Sequence, residues 1–171
     1  VLMAGAVDQM QKRLELFVRM GVKDLASYNK VSRDKLPRWV LVVDEFADLI
    51  AVAGREIELP ISRIAAKARA VGIHMILATQ RPDTKVITGT IKSNFPSRIA
   101  FKVASMIDSR TILDAPGANR LIGKGDMLFL QGADPVRVQC AFIDTPEVEE
   151  ITKFIARQQS YPTPFFLPEF V

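Results

Sequence analysis

Cysteine and histidine are almost absent from this sequence, which contains one of each, Cys140 and His74. A single cysteine excludes a disulfide within the chain and is typical of a protein from a reducing compartment. A single histidine excludes metal centres that are built from several histidines. Disulfide-stabilised secreted proteins and histidine-rich metalloproteins are therefore not candidates.

Long hydrophobic runs are also lacking. No apolar stretch approaches the roughly 20 residues that a membrane-spanning helix needs, and we therefore expect no direct membrane contact. The start, VLMAGAVDQM, lacks the features of a signal peptide and a leading methionine, so we expect a chain cut from a longer protein. The net charge of +4 permits a nucleic-acid partner without requiring one.

A third absence concerns phosphate binding. The sequence contains no G-x-x-x-x-G-K-[ST] motif, the glycine-rich loop whose backbone cradles nucleotide phosphates. The nearest approach is GANRLIGKGD, in which Gly117 and Gly123 are one residue too far apart and Gly125 stands where a serine or threonine is needed. We interpret this stretch as a turn that leads into a strand.

The sequence does contain an alternation of apolar strands and amphipathic helices. Helices are predicted at residues 7–20, 59–71 and 145–158, and buried strands at Trp39–Val43 and residues 72–78. Because the first strand is apolar at every position, both of its faces should be covered, as in a parallel sheet. The later strands GDMLFL and VRVQCAFI, joined by a turn at GADP, favour an antiparallel edge hairpin.

The order of these elements indicates an α/β fold with a mostly parallel sheet that is flanked by helices. A loop region is predicted at residues 82–96, before a further strand, RIAFKV. We expect one domain at residues 1–158 and a tail rich in proline and aromatic residues at 159–171.

Two adjacent carboxylates, Asp44 and Glu45, follow the most apolar strand directly. Ligands of open parallel sheets bind beyond the carboxyl ends of the strands, where such a pair suits a magnesium nucleotide. The first carboxylate can hold the metal ion, and the second can orient or deprotonate a water molecule. In the alternative interpretation Asp44 caps the helix that begins at Phe46, and Glu45 is favourable in its first turn. The pair alone leaves both interpretations open.

The next apolar strand also ends in polar side chains, Thr79 and Gln80. A parallel sheet would place Gln80 beside Glu45, where its neutral amide can hydrogen-bond a water molecule or the terminal phosphate. An amide that only satisfies the local loop is the competing explanation. Together the two strand ends predict a nucleotide site formed by Asp44, Glu45, Thr79 and Gln80, without its phosphate loop.

Several stretches closely resemble the motor domain of the FtsK/SpoIIIE family of DNA translocases. They occur in family order, as VVDEFADLI, RAVGIHMILATQRP, VITGTIKSNFPSRIAF, DSRTILD and GKGDML. The resemblance covers most of the chain, from about Val7 to the last helix, and the motifs are highly specific in combination. Because the phosphate loop is missing, the chain resembles the C-terminal part of that motor.

The resemblance implies a partial RecA-like P-loop NTPase core, a homo-hexameric ring around double-stranded DNA, and hydrolysis of ATP with Mg²⁺. Asp44 and Glu45 match the Walker B pair of the family, with Asp44 at the metal, and Gln80 matches the polar residue after the following strand. Arg69 matches the arginine that reaches the nucleotide of the neighbouring subunit. A surface arginine is the competing explanation, and Arg63 is a second candidate.

For DNA, the basic pore residues of the family match Arg81, Lys92 and Arg110. Contacts to backbone phosphates need only positive donors, and a translocase must not depend on base sequence. Solvated loop charges are the competing explanation. The chain departs from its relatives at Met106, where they commonly carry lysine.

The resemblance therefore predicts part of an ATP-driven double-stranded DNA translocase that acts in chromosome segregation and cell division. It implies the cytoplasmic domain of a bacterial protein that is anchored in the inner membrane at the division septum. Without a phosphate loop, the chain alone should show no significant ATPase activity. The alternatives are a related ring ATPase for protein secretion or conjugation, and a non-enzymatic DNA-binding remnant.

Overall fold

The structure, a computed structural model, describes residues 2–164. The chain divides into two compact units, the first ending at Phe95 and the second beginning at Pro96. Each unit has its own hydrophobic core and is described by itself. In the predicted tail, residues 159–164 form exposed irregular chain, and residues 165–171 lie outside the described residues.

The first unit packs helices against a pair of parallel strands. Its helices are α1 (Leu2–Arg19), α2 (Leu25–Val31), α3 (Phe46–Ala53), α4 (Glu58–Lys67) and α5 (Gly89–Asn94), and its strands are β1 (Trp39–Val43) and β2 (Ile73–Leu77). The strands pair in register, from Trp39 opposite Ile73 to Val43 opposite Leu77. The predicted parallel pairing of these two strands is confirmed, and their bounds lie within one residue of the predicted ones.

The core of the first unit is formed by the apolar faces of α1, α3 and α4. Ile61 and Ile64 of α4 are buried together with Met10 and Phe17 of α1 and Phe46 of α3. Each such side chain contributes about 1.5–3 kcal/mol through its removal from water. This packing fixes β1 and β2 relative to the helices, and so it also fixes the residues that follow each strand.

Only one face of the β1–β2 pair is covered, so the expectation that both faces of β1 are buried is wrong for the described residues. Trp39, Leu41 and Val43 pack against the core. The alternate residues face away from it, and Val40 and Val42 are 58% and 64% exposed. Because side chains alternate along a strand, helices that pack on one side cover only every second residue. The continuous apolar run could not show on which side those helices lie.

Several elements differ from their predictions. Helix α1 begins at Leu2, five residues before its predicted start, and β5 ends at Gln139, although its predicted strand continues to residue 143. Helix α4 ends at Lys67, and residues 68–72 form turns, whereas the predicted helix continues to residue 71. The predicted loop at residues 82–96 contains the short helix α5, whose N-cap Thr88 accepts a hydrogen bond from the Ile91 backbone nitrogen at 3.3 Å. A capping side chain thus overrides the weak helix propensity of glycine in this segment.

The second unit is built around an antiparallel sheet. It contains β3 (Ser97–Phe101), α6 (Met106–Leu113), β4 (Asp126–Gln131), β5 (Pro135–Gln139) and α7 (Thr145–Ala156). The strand order is β3-β4-β5, with both pairs antiparallel. The predicted hairpin of β4 and β5 is confirmed, whereas β3 also pairs antiparallel and does not extend the parallel pair. Within the described part of the chain, no helix combines the length and the apolar character that a bilayer span requires.

An ion pair with a buried carboxylate holds the start of the β4–β5 hairpin. Asp126 is 2% exposed and accepts hydrogen bonds from Arg137 on the neighbouring strand, at 2.9 Å from Nε and 2.8 Å from Nη2. It also accepts one from the Ile122 backbone nitrogen at 2.7 Å. These contacts, first of all those from Arg137, lower the pKa of Asp126 to about 2. The carboxylate therefore ties the turn before β4 to β5.

Candidate nucleotide site at the ends of the parallel strands

The carboxyl ends of β1 and β2 lie side by side, as the sequence predicts. Their ladder continues past the last strand residues, because the Ala78 nitrogen donates to the Val43 oxygen at 2.8 Å and the Phe46 nitrogen donates to the Ala78 oxygen at 2.7 Å. This register brings the segment with Asp44 and Glu45 next to the segment with Thr79 and Gln80. The four residues of the predicted nucleotide site therefore share one edge of the parallel pair.

Glu45 connects the two strand ends through its carboxylate. Its Oε1 atom accepts a hydrogen bond from the Ala47 backbone nitrogen at 3.1 Å and another from the Thr79 hydroxyl. Its Oε2 atom accepts one from the Gln80 backbone nitrogen at 2.9 Å. A carboxylate offers about four acceptor positions, so Glu45 keeps capacity for one further donor at Oε2. That donor can be a water molecule.

These contacts keep Glu45 ionised. The Thr79 hydroxyl makes the largest contribution to lowering the pKa of Glu45, followed by the Gln80 backbone nitrogen, while desolvation acts in the opposite direction. A carboxylate with a lowered pKa is a weaker proton acceptor and stays ionised over a wider range of pH. Glu45 is therefore better suited to orienting a polarised water molecule than to removing its proton unaided.

The Asp44 carboxylate, unlike that of Glu45, makes no contacts within the described residues. Its side chain is exposed, and among residues 2–164 it accepts no hydrogen bond and forms no ion pair. Mg²⁺ is commonly held by one or two carboxylates together with phosphate oxygens and water. The free carboxylate of Asp44 fits that role. The described residues contain no group of three or more acidic, cysteine or histidine side chains that could hold a metal ion by themselves.

The helix cap at this edge is Glu45 and not Asp44. Helix α3 begins at Phe46, and its N-cap is Glu45, whose side chain accepts from the Ala47 nitrogen. The alternative interpretation of the acidic pair, in which Asp44 caps this helix, is therefore wrong. The cap lies one residue later because the continued β1–β2 ladder turns Glu45 toward β2, so that one carboxylate reaches both the helix and the neighbouring strand end.

Gln80 and Arg81 lie at the rim of this site. The Gln80 backbone contacts Glu45, while its side-chain amide is exposed and makes no hydrogen bond within the described residues. Arg81 forms an ion pair with Asp48 of α3, at 3.1 Å between Nη2 and Oδ1, and both side chains are more than half exposed. Such exposed pairs contribute only about 0–1 kcal/mol, so a stronger anion can displace Asp48.

The other predicted site residues lie elsewhere. Lys92 is half-buried on α5 in the first unit, and Arg110 is exposed on α6 in the second unit. Arg69 is exposed in the turn between α4 and β2, at the amino-terminal edge of the strand pair. The five paired residues of each strand, about 13 Å long, separate that edge from the segment that carries Glu45. Within one chain, Arg69 and Glu45 therefore belong to opposite edges.

Sequence patterns missed one buried charge. Helical spacing places Arg13 among the polar residues that lie between the apolar positions of the first helix, yet Arg13 is only 5% exposed. Its Nη1 atom donates at 2.9 Å to the Pro37 and Val71 oxygens, and its guanidinium lies 5.2 Å from the centre of the Trp39 ring. Helical spacing does not predict this burial, because Arg13 lies beside the apolar face of α1 and its hydrogen-bond partners are distant in sequence.

The fold belongs to the RecA-like ATPase motor domains. The conjugation coupling protein TcpA of pCW3, solved as a monomer with ATPγS, superposes with a TM-score of 0.78 at 36% identity, over 90% of this chain and 48% of that chain. The Thermomonospora curvata type VII secretion ATPase EccC superposes with a TM-score of 0.80 at 22% identity, over 99% of this chain and 21% of that chain. These likenesses confirm the predicted α/β RecA-like fold.

The chain belongs to the FtsK/SpoIIIE family. The model of that family matches residues 2–84. The DNA translocase FtsK of Chlorobaculum tepidum is 52% identical over 168 residues, which cover 96% of this chain and 21% of the relative. The DNA translocase SftA of Bacillus subtilis is 48% identical over 170 residues, covering 95% of this chain and 18% of the relative. The chain thus spans about a fifth of the length of these curated relatives.

Proposed function

We propose that this chain is part of an ATP-driven motor that moves double-stranded DNA. The observation that carries the proposal is the meeting of Asp44 and Glu45 with Thr79 and Gln80 at one edge of the parallel pair. Identity of about 50% to proteins named DNA translocases supports DNA as the substrate. In the cell, we propose action in chromosome segregation and division, as the cytoplasmic part of a protein anchored at the septum.

The four residues at this edge divide the work of ATP hydrolysis among them. Bound ATP and Mg²⁺ would supply the phosphoryl group and the charge that neutralises its oxygens. Asp44 would hold the metal ion through its exposed carboxylate. Glu45, fixed by Thr79 and the Gln80 backbone, orients a water molecule at its remaining acceptor position, and the Gln80 amide hydrogen-bonds the same water or the terminal phosphate. The phosphate loop is supplied from outside this sequence.

Arg69 and the basic DNA residues complete the proposal. Because Arg69 lies at the opposite edge from Glu45, it suits the nucleotide of a neighbouring subunit better than that of its own chain, as a hexameric ring requires. Arg81, Lys92 and Arg110 bind DNA phosphates in the pore without reading bases. Asp48 holds Arg81 in the absence of DNA.

A chimeric translocase tests this function directly. In the Chlorobaculum tepidum relative, the 168 matching residues are replaced by those of this chain, and DNA-stimulated ATP hydrolysis is measured. We expect activity to be retained. Asp44→Ala and Glu45→Ala should each lower it by roughly 10²-fold or more, with nucleotide binding kept in the Glu45 variant. The exposed Glu56→Ala is the matched control and should change little.

Two outcomes would contradict the proposal. Normal ATP turnover in the Glu45→Ala chimera would exclude a role of Glu45 in hydrolysis. ATP hydrolysis by the isolated chain, which should be inactive without a phosphate loop, would show that the site is of another kind.

Conjugation is the second candidate, because TcpA is 36% identical and is named a conjugation coupling protein. The higher identity to DNA translocases favours segregation. A chimera that restores chromosome segregation in a translocase-deficient host supports the first candidate. One that restores only plasmid transfer supports the second.

A further inference from the structure

Asp48 connects helix α3 to the segment that follows β2. Its carboxylate lies in the first turn of α3 and pairs with the guanidinium of Arg81, at 3.1 Å between Oδ1 and Nη2. Glu45 is the N-cap of the same helix. Arg81, a proposed DNA contact, is thus held by the helix end that also carries Glu45.

The Thr79 hydroxyl joins Arg81 to Glu45 by a second route. Its oxygen accepts a hydrogen bond from the Arg81 backbone nitrogen at 3.1 Å, and it donates to the Glu45 Oε1 atom. The Arg81 carbonyl oxygen lies 3.4 Å from the same hydroxyl and is a second acceptor. Because a hydroxyl has one proton to donate, it serves either Glu45 or the Arg81 oxygen. Contact with Glu45 is therefore one of two arrangements that this side chain can adopt.

The chain after Arg81 is anchored by its own contacts. The Asp83 nitrogen donates to the Arg81 oxygen at 2.8 Å, and the Val86 nitrogen donates to the Asp83 oxygen at 3.0 Å. Val86 itself is buried in the core of the first unit. Since the following turn is fixed in this way, a displacement of Arg81 is passed back to Thr79. The contacts of the Arg81 side chain can thus decide which acceptor the Thr79 hydroxyl uses.

The helix dipole offers a simpler explanation for Asp48, because an acidic residue is favourable in a first helical turn. Helices α6 and α7 have an acidic residue at the same position, three residues after the N-cap. There Asp108 and Glu147 turn back and accept from the backbone nitrogen of the N-cap. Asp48 is instead directed to Arg81. The dipole therefore accounts for its charge but not for its partner.

We propose that Asp48 is a positioning residue that anchors Arg81 in the place of a DNA phosphate and so keeps the Thr79 hydroxyl on Glu45. DNA that binds Arg81 takes over this anchor. Without either anchor, the hydroxyl turns to the Arg81 oxygen, and Glu45 loses one of its three donors. The part played by DNA rests on the proposed function, but the action of Asp48 on Glu45 does not.

Hydrogen exchange in the isolated chain tests that action without nucleotide, DNA or turnover. The backbone amides of Ala47 and Gln80 both donate to Glu45, so their exchange rates, measured by NMR, report how firmly Glu45 is held. Since exposed ion pairs are weak, Asp48→Asn should speed this exchange by about two- to fivefold. Asp48→Glu, which keeps a carboxylate, should retain most of the protection. The matched control Asp34→Asn removes the same charge at an exposed position and should leave both rates unchanged.

An Arg81→Ala background separates positioning from helix stabilisation. If Asp48 acts through Arg81, adding Asp48→Asn to Arg81→Ala has no further effect on the two amides. If Asp48 serves only the helix dipole, the substitution has the same effect in both backgrounds, which would overturn the proposal. Unchanged exchange after Asp48→Asn in the original chain would overturn it as well.

The part played by DNA is tested in the chimeric translocase. Without DNA, Asp48→Asn should lower ATP hydrolysis by about two- to fivefold. At saturating duplex DNA the rate should equal that of the unsubstituted chimera, and half-saturation should occur at a lower DNA concentration, because Asp48 no longer competes for Arg81. A defect that persists at saturating DNA would exclude DNA as the second anchor. A chimera without any ATP hydrolysis contradicts the proposed function instead, and the exchange rates still decide whether Asp48 positions Glu45.

Discussion

Glu45 accepts hydrogen bonds from three parts of the first unit: the first turn of α3, the Thr79 side chain and the Gln80 backbone. At the sequence level, capping and catalysis are competing explanations for the acidic pair. In the structure the two acidic residues differ, because Glu45 caps the helix whereas the Asp44 carboxylate makes no contact within the described residues. The cap also fixes the carboxylate geometry that the proposed water-orienting role needs.

The Thr79→Val substitution tests the contact that most lowers the pKa of Glu45. Because folding lowers this pKa, the carboxylate stabilises the fold above its ordinary pKa of about 4.3, and the effect is lost as the pH falls through the lowered value. We therefore expect Thr79→Val to lower the melting temperature clearly at pH 6 and less at pH 3. Thermal unfolding followed by circular dichroism measures both. Thr84→Val, at an exposed position, is the control. An equal loss of melting temperature in Thr79→Val at pH 6 and at pH 3 would contradict the proposed effect of Thr79 on the pKa of Glu45.

Arg13 shows what residue patterns cannot reveal. Its position beside the apolar stripe of α1 is compatible with solvent exposure, and only the tertiary fold places the Pro37 and Val71 oxygens within its reach. Burial lowers the pKa of Arg13 through desolvation, yet an arginine remains charged. Two hydrogen bonds and the Trp39 ring offset that desolvation.

Replacing Arg13 with methionine keeps much of the side-chain volume and removes both hydrogen bonds. Two backbone oxygens then lose their donor, so we expect the free energy of unfolding to fall by about 2–3 kcal/mol. Urea unfolding of the isolated chain measures this loss. Lys12→Met, at the exposed neighbouring position, should stay within about 0.5 kcal/mol of the original chain, and an equal effect of both substitutions would contradict the structural role of Arg13.

At the scale of elements, strong periodic patterns predicted the structure well, and weak local signals did not. The bounds of β1 were predicted from its apolar run and its polar ends, and the β4–β5 hairpin from its turn sequence. Helix α5 was missed because its six residues include a glycine and its start depends on the Thr88 cap. The uncovered face of β1 was missed because coverage depends on elements distant in sequence.

The Asp126–Arg137 pair makes hairpin stability depend on pH. The pKa of Asp126 is lowered to about 2, so its stabilisation is present above the ordinary value of about 3.9 and is lost as the pH falls from there toward 2. Asp126→Asn should lower the melting temperature at pH 6 and flatten its dependence on pH between 4 and 2. Asp134→Asn, exposed in the β4–β5 turn, is the control. If the melting temperature of the Asp126→Asn variant depends on pH between 4 and 2 as strongly as that of the original chain, the pair does not stabilise the hairpin.

At the scale of the whole molecule, the candidate site was predictable because parallel pairing alone brings two strand ends together. The buried contacts at the opposite edge of the strand pair were not predictable in this way. They join three segments through Arg13, Leu25 and Gly72, and no short motif contains these residues. The placement of the predicted site residues is thus known, while their roles in hydrolysis and DNA binding stay predictions.

DNA binding by the chimeric translocase should depend on Lys92 and Arg110. Each phosphate contact to duplex DNA contributes about 0.9 to the slope of the logarithm of affinity against the logarithm of salt concentration. Lys92→Ala/Arg110→Ala should therefore reduce that slope by about 2 and weaken binding equally across sequences. Fluorescence anisotropy over a salt series measures it. An unchanged slope, or an equal reduction with Lys30→Ala/Arg33→Ala, would exclude Lys92 and Arg110 from phosphate contact.

The position of Arg69 predicts catalysis across subunit boundaries, and complementation between two inactive chimeras tests it. One chimera carries Glu45→Ala with Arg69 intact, and the other carries Arg69→Ala with Glu45 intact. If Arg69 acts on the neighbouring nucleotide, random mixing of equal amounts in a head-to-tail ring gives about a quarter of interfaces an intact Glu45 and an intact Arg69. ATP hydrolysis should therefore reappear in the mixture, while each chimera alone stays inactive. If Arg69 acts within its own chain, no mixed ring contains a complete site and the mixture stays as inactive as its components. The mixture is then repeated with Arg63→Ala in place of Arg69→Ala to distinguish the two candidate arginines. If Arg63 is only a surface arginine, the Arg63→Ala chimera hydrolyses ATP by itself, before any mixing.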